Sequence, residues 1–241
     1  MSDRALYHIT GADRLSFMQG LVTNDVKSGL VYAAILTPQG KYLADFFLWV
    51  RDDDIVLDID AQIAAATVQR LTMYKLRADV QIAESSLNVQ RGVDDAPIEA
   101  MDDPRDPSLG WRLYAEDAGP DRSVDWTALY VAACVPRTGI ELTPDTYILE
   151  AGFERISGVD FRKGCYVGQE VTARMKHKTE LRKGLALVDV TGTAPVGTPI
   201  TSNGKDVGVL YSQAGGRGIA HLRFDRAKGP MQAGDAQVSY G

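Results

Sequence analysis

Apolar and polar residues alternate in short runs over the first sixty positions. Leu6–Ile9, Leu30–Thr37, Lys41–Val50 and Ile55–Ile59 read as β-strands, separated by the turns Pro38-Gln39-Gly40 and Arg51-Asp-Asp-Asp54. A short helix is predicted over Gly11–Gln19, stopped by Gly20. The stretch from Leu30 to Ile59 is therefore predicted to be an antiparallel meander. Strict period two in Lys41–Val50 puts Leu43, Asp45, Phe47 and Trp49 on one face and Tyr42, Ala44, Phe46 and Leu48 on the other. Both faces are largely apolar, so this strand is predicted to be buried.

The period then lengthens. Asp60 can cap a helix over Ala61–Leu76, whose apolar Ala64, Val68, Leu71 and Tyr74 share one face. Strands are predicted at Asp79–Ala83, Leu87–Arg91 and Trp111–Ala115. Asp94–Leu109, with three prolines and five aspartates, reads as an exposed loop and the least ordered stretch of the chain. Asp125–Cys134 is helical and ends before Pro136. Thr143-Pro144 opens a short helix that Gly152 ends, and Glu170–His177 is good helix material. After Lys183 only short β-like runs remain: Gly184–Val190, Pro199–Asn203, Val207–Tyr211, Ile219–Phe224 and Gln237–Tyr240. The reading is an α+β chain: an α+β region over 1–182, split near 85–110, and a β-barrel over 183–241.

Composition narrows the function classes. With 241 residues, 45% hydrophobic and 24% charged, the chain can bury a core without disulfide or metal staples. No apolar run approaches the roughly 18 residues that cross a membrane, and Met1–Leu6 shows no leader pattern, so a cytoplasmic protein, or a mature form whose leader has been removed, is expected. The two cysteines, Cys134 and Cys165, form no CxxC, and His8, His177 and His221 form no HExxH, so no metal site is expected. A net charge of −6 disfavours direct nucleic-acid binding. Between Arg162 and Lys183, seven Lys/Arg against two Glu give a local +5, which suits either a solvated surface or an anionic ligand or partner. Rossmann, Walker and GxSxG motifs do not occur.

Three places can carry chemistry. Asp45 is a carboxylate on an apolar strand, either a paired structural group or an acceptor aimed into a pocket. Glu150, in Tyr147-Ile-Leu-Glu-Ala-Gly152, reads by itself as an exposed helix-end residue. In Lys163-Gly-Cys-Tyr-Val-Gly-Gln-Glu170, Gly164 and Gly168 free the backbone, and a helix follows. Cys165 beside Lys163, ahead of a helix N-terminus and with Arg174 nearby, is either an inert packing residue or a reactive, partner-facing thiol. Cys134, in the apolar run Leu129–Val135, is expected to be buried and slower to alkylate.

Lys163–Glu170 resembles the KGCYxGQE signature of the YgfZ family, with Gly164, Tyr166, Gly168, Gln169 and Glu170 at its motif positions. Phe17-Met-Gln-Gly20 with Thr23-Asn-Asp-Val26, Thr37–Asp45 and Gly139-Ile140-Glu141 resemble further pieces of the same family, from about Tyr7 to Arg223. The resemblance implies a fold like the glycine-cleavage T-protein, with antiparallel-sheet subdomains around a central folate pocket and a C-terminal barrel. It implies tetrahydrofolate or a one-carbon derivative as cofactor, with Asp45 at the folate N10 region and Glu150 on the pteridine. It implies support of iron–sulfur cluster assembly or repair, reaching tRNA-modifying cluster enzymes, with iron–sulfur carrier or assembly proteins as partners through Cys165. The alternative is a folate-dependent aminomethyltransferase or demethylase of the T-protein type.

Overall fold

The alternation at the N-terminus is realised as an antiparallel sheet. The structure, a computed structural model, describes residues 3–177 and 181–241. It divides into two units, Met1–Val124 with Glu154–Val171, and Asp125–Phe153 with Thr172–Gly241.

In the first unit β1 (Arg4–Thr10), β2 (Gly29–Leu36), β3 (Tyr42–Val50), β4 (Ile55–Asp60) and β5 (Gln81–Glu84) pair in the order β2-β3-β4-β1-β5. One face of this sheet buries Ile9, Ala33, Ile35, Ala44, Phe46, Leu48, Ile55 and Leu57 together with Met18 of α1 (Arg14–Gln19) and Leu71 of α2 (Ala61–Tyr74). Asp60 caps α2, its carboxylate accepting from the Gln62 amide at 2.9 Å. Ala64, Thr67 and Leu71 form the buried stripe of α2, whereas Tyr74, expected on that stripe, is exposed where the helix ends.

Strict alternation fails at one point in β3. Ile35 pairs with Ala44 but Leu36 pairs with Tyr42, so β3 carries one extra residue there. Such a bulge reverses which face each side chain takes. Tyr42, predicted opposite Asp45, donates its hydroxyl to Asp45 at 2.6 Å, while Leu43 packs on the apolar core.

A second, three-stranded sheet has the order β6-β8-β7, from β6 (Asn88–Gly92), β7 (Met101–Asp102) and β8 (Trp111–Ala115). The stretch 94–109, predicted as an exposed loop, is built in part into this sheet. Asp103, Arg105 and Leu109 are buried. Asp103 accepts from Arg105 at 2.8 and 2.9 Å, and the Arg112 guanidinium stands 3.6 Å away. Arg112 also donates to Asp58, which accepts from Arg4 at 2.6 Å and from Tyr114 at 2.8 Å. These cations hold the Asp58 carboxyl far below the usual range despite full burial. Asp103 and Arg105 looked solvated in sequence because what buries them arrives with the fold, and the partners of Asp58 lie more than fifty positions away.

In the second unit β9 (Lys183–Thr191), β10 (Thr198–Ser202), β11 (Lys205–Ala214), β12 (Arg217–Arg223), β13 (Met231–Ala233) and β14 (Ala236–Ser239) close a barrel in the order β10-β11-β12-β9-β14-β13. Burial alternates along β9, with Gly184, Ala186, Val188 and Val190 inside. The three residues of β13 are too few to show a period, and this strand was not predicted. α3 (Trp126–Ala132) packs against β11 and β12. The helix predicted from Thr143-Pro144 does not form. Residues 143–152 are successive turns, with Thr146 Oγ1 accepting from the Thr143 amide and Gly152 at φ 77°. Asp145 and Thr146 favour such side-chain-stabilised turns over helix. α4 (Gln169–His177) runs across the division between the units.

Candidate functional site

Asp45 belongs to the first unit and Glu150 to the second. Asp45 is buried in β3 opposite Ala34, and its carboxylate accepts from the Tyr32 hydroxyl at 2.9 Å as well as from Tyr42. The bulge supplies the second of these donors. Burial and the Asp45 charge push the Tyr32 phenol well above its ordinary value, so it remains a protonated donor. The Arg105 guanidinium lies 5.4 Å from the Tyr32 ring centroid and 4.7 Å from that of Phe47. The result is an oriented carboxylate in a water-poor setting, able to accept an N–H or stabilise a developing positive charge. Neither tyrosine was singled out from the sequence; only the bulge puts Tyr42 within reach.

The Lys163–Glu170 segment is held by the N-terminal motif that accompanied it in sequence. Thr23 Oγ1 donates to the Gly158 carbonyl at 2.6 Å and accepts from the Ala34 amide at 2.9 Å. Asn24 Nδ2 donates to the carbonyls of Tyr32 and Ser157 at 2.9 and 2.6 Å. Lys163 is buried, and its ammonium donates to the carbonyls of Gln19 at 2.7 Å and Val22 at 2.5 Å. Burial lowers its pKa to about 8. Its geometry makes Lys163 a clamp on the α1 loop, not a cation turned solely to the thiol as the sequence suggested. It also lies 4.8 Å from the buried Tyr166 ring.

Cys165 is exposed, four positions ahead of Gln169, the first residue of α4. Cys134, expected to be buried, is half-exposed: it follows α3 with φ 50°, a turn that brings it out of the apolar run. The two glycines differ. Gly168 has φ 84°, and a side chain there would meet the Thr37 carbonyl at 2.6 Å. Gly164 has open space around it and needs no special conformation. Gln169 Nε2 donates to the Gly164 carbonyl at 3.4 Å, Glu170 stands in the first turn of α4, and Arg174 is exposed in its last turn.

Glu150 sits in the turn before Gly152, half-buried, in a recess of about 210 Å³ with Thr143, Thr146, Leu185, Tyr211 and His221. The expectation of an exposed helix end is corrected on both counts. The Leu185 amide donates to the Glu150 carbonyl at 2.6 Å, anchoring the turn on β9. Glu150 Oε2 stands 3.3 Å from Lys183 Nζ and 3.4 Å from His221 Nε2. Burial raises the Glu150 pKa, but His221 and Lys183 outweigh it and the net shift is downward. An ionised carboxylate is acceptor-only and can take two parallel N–H donors. The recess is small beside the roughly 300–1,000 Å³ of drug-sized pockets, so it suits a ring system rather than a whole extended ligand. In sequence Lys183 counted only toward the basic run and His221 only as a scattered histidine; nothing tied either to Glu150. Nearby, the buried Glu141 accepts from the Arg137 amide at 3.0 Å and the Ser212 amide at 3.2 Å, which pins Gly139–Glu141 to β11.

Comparison with known proteins bears on this arrangement. Residues 182–240 match the family described as CAF17, C-terminal beta-barrel domain. The chain is 28% identical to the mitochondrial iron–sulfur cluster assembly factor IBA57 of Mus musculus, over 96% of this chain and 78% of that protein. The Homo sapiens IBA57 gives the same figures. A homologue from Mycosarcoma maydis is 31% identical over 80% of this chain and 57% of its own length. Among solved structures, the glycine cleavage system aminomethyltransferase T of Bartonella henselae superposes with a TM-score of 0.75 at 13% identity, covering 98% of this chain and 82% of that one. The fold is therefore T-protein-like, with a closed six-stranded barrel at its C-terminal end. The IBA57 relatives are named mitochondrial, which overturns the expectation of a cytoplasmic protein. Composition and the lack of long apolar runs do not tell one aqueous compartment from another. Among the described residues no helix is long and apolar enough to cross a membrane.

Proposed function

We propose that this chain binds tetrahydrofolate or a one-carbon derivative and supports iron–sulfur cluster assembly or repair, in the manner of the YgfZ family. The observation that carries the reading is the similarity to the IBA57 assembly factors over 96% of the chain. The donor chemistry fits the cofactor. Glu150 is an ionised acceptor in a ring-sized recess, matching the 2-amino and ring N–H pair of a pteridine. Asp45, oriented by two tyrosine hydroxyls, is suited to the folate amine. When bound, folate would supply a one-carbon carrier; the chain's own residues bind and orient it. Cys165, exposed on a segment fixed by Thr23, Asn24 and Lys163, would face iron–sulfur carrier or assembly proteins. Cluster-dependent tRNA-modifying enzymes would be among the downstream beneficiaries.

Deletion of the gene tests this reading. Iron–sulfur enzyme activities should fall while their protein levels hold. The wild-type gene should restore them and Cys165→Ala should not. Unchanged activities would remove the assembly role. The T-protein-like fold keeps one alternative in view, a folate-dependent aminomethyltransferase, which would release or transfer a one-carbon unit in the purified state and would not need Cys165.

A further inference from the structure

Three residues from separate parts of the first unit converge, none of them Asp45 or Cys165. His8 lies in β1, Asp54 in the turn before β4, and Ser85 just after β5. His8 Nδ1 is 2.5 Å from Asp54 Oδ2, and His8 Nε2 is 2.7 Å from Ser85 Oγ. The pairing of β1 with both β4 and β5 brings them together: His8 stands opposite Val56 on one side and Ala83 on the other. Asp54 is buried, and Arg51 donates to both of its oxygens at 2.6 and 2.5 Å. Burial raises the Asp54 pKa, but Arg51 and His8 outweigh it, and Asp54 is held below the ordinary carboxylate range. An ionised Asp54 accepts the proton on His8 Nδ1, which leaves Nε2 as the lone-pair nitrogen facing the Ser85 hydroxyl. Ser85 lines an open cleft of about 740 Å³ together with Leu6, Tyr7, Glu84, Leu87 and Asn88.

We propose that Ser85, His8 and Asp54 form a nucleophilic triad, and that this cleft hydrolyses small acyl esters. Ser85 Oγ attacks the acyl carbonyl and its proton passes to His8 Nε2. The ester C–O bond breaks, and the departing alcohol takes that proton. Water then attacks the acyl-serine, giving one proton to His8, and the acid and free Ser85 are released as the proton returns to Oγ. The Leu87 amide, which donates to Ser85 Oγ at 3.1 Å, solvates the charge that develops when Oγ loses its proton. Asp54 holds the imidazole tautomer, and Arg51 fixes Asp54. None of these groups belongs to the folate reading, so either proposal stands or falls without the other.

The same contacts would arise if Ser85 only closed the turn between β5 and β6, and reactivity separates the two cases. The full-length protein is incubated with a fluorophosphonate probe and the adduct mapped by peptide mass spectrometry. The triad predicts one adduct, on Ser85, its loss in Ser85→Ala, and a labelling rate reduced about a hundredfold in His8→Gln. It also predicts acetate release from p-nitrophenyl acetate that Ser85→Ala abolishes. No adduct on Ser85 in the wild-type protein overturns the proposal whatever the variants do. Equal labelling of wild type and a folded His8→Gln, verified by thermal melting, overturns it as well.

Discussion

Cys165 and Cys134 differ in where the chain leaves them, one on an exposed loop and one in a left-handed turn at a helix end. With a limiting alkylating reagent at neutral pH, Cys165 should label severalfold faster, read by competition mass spectrometry. Equal or reversed labelling would show that the signature segment gives Cys165 no added reactivity and remove the case for it as the partner-facing thiol. Lys163 gives a prediction with a sign. Burial holds it at about 8 in the folded chain against 10.5 for an exposed lysine. Between those pH values the unfolded chain keeps a proton that the folded chain has released, so stability rises with pH across that window. The wild type should therefore gain up to about 3 kcal/mol relative to Lys163→Met between pH 8 and 10.5, measured by urea unfolding. A flat difference would place the ammonium in a solvated setting. At this scale the sequence was legible in where a residue lies, as with Asp45, buried on its apolar strand as its neighbours implied. It was silent where a partner arrives through the fold, as with Tyr42 at Asp45 or Lys183 and His221 at Glu150.

Elements carry the next level of the argument. The signature segment turns at Gly168, whose positive φ and closeness to the Thr37 carbonyl leave no room for a side chain. Gly168→Ala should cost about 2 kcal/mol or more, and Gly164→Ala less than about 0.5 kcal/mol, compared by thermal or urea unfolding. Similar losses at the two positions would contradict this account of the turn. Asp58 is fully buried among Arg112, Arg4 and Tyr114. Removing its charge strands a buried guanidinium, so Asp58→Asn should destabilise by about 3–5 kcal/mol. The meander, α2 with its Asp60 cap and the barrel strands other than β13 were readable because period and capping are local properties. The bulge in β3 and the order in 94–109 were not, since each depends on packing that forms only with the fold, and the turns of 143–152 were missed because the Thr143-Pro144 helix start outweighed the turn-forming Asp145 and Thr146.

For the whole molecule, the T-protein-like fold and the likeness to IBA57 agree with the fold and the iron–sulfur assembly kinship that the motifs from Phe17 to Glu170 implied, while folate and the YgfZ label belong to the proposal. The cellular compartment was beyond composition, because nothing in charge or hydropathy separates one aqueous phase from another. The central proposal is that the chain binds a reduced folate, for which Asp45 in the first unit and Glu150 in the second each offer an acceptor. Calorimetric titration of tetrahydrofolate into the purified protein, under anaerobic conditions, tests it most directly. The account predicts one binding site per chain, weakened roughly 10- to 100-fold in Asp45→Asn and in Glu150→Gln, each losing a charge-assisted hydrogen bond. Absence of binding to the wild type, or affinity unchanged in both variants, would contradict it.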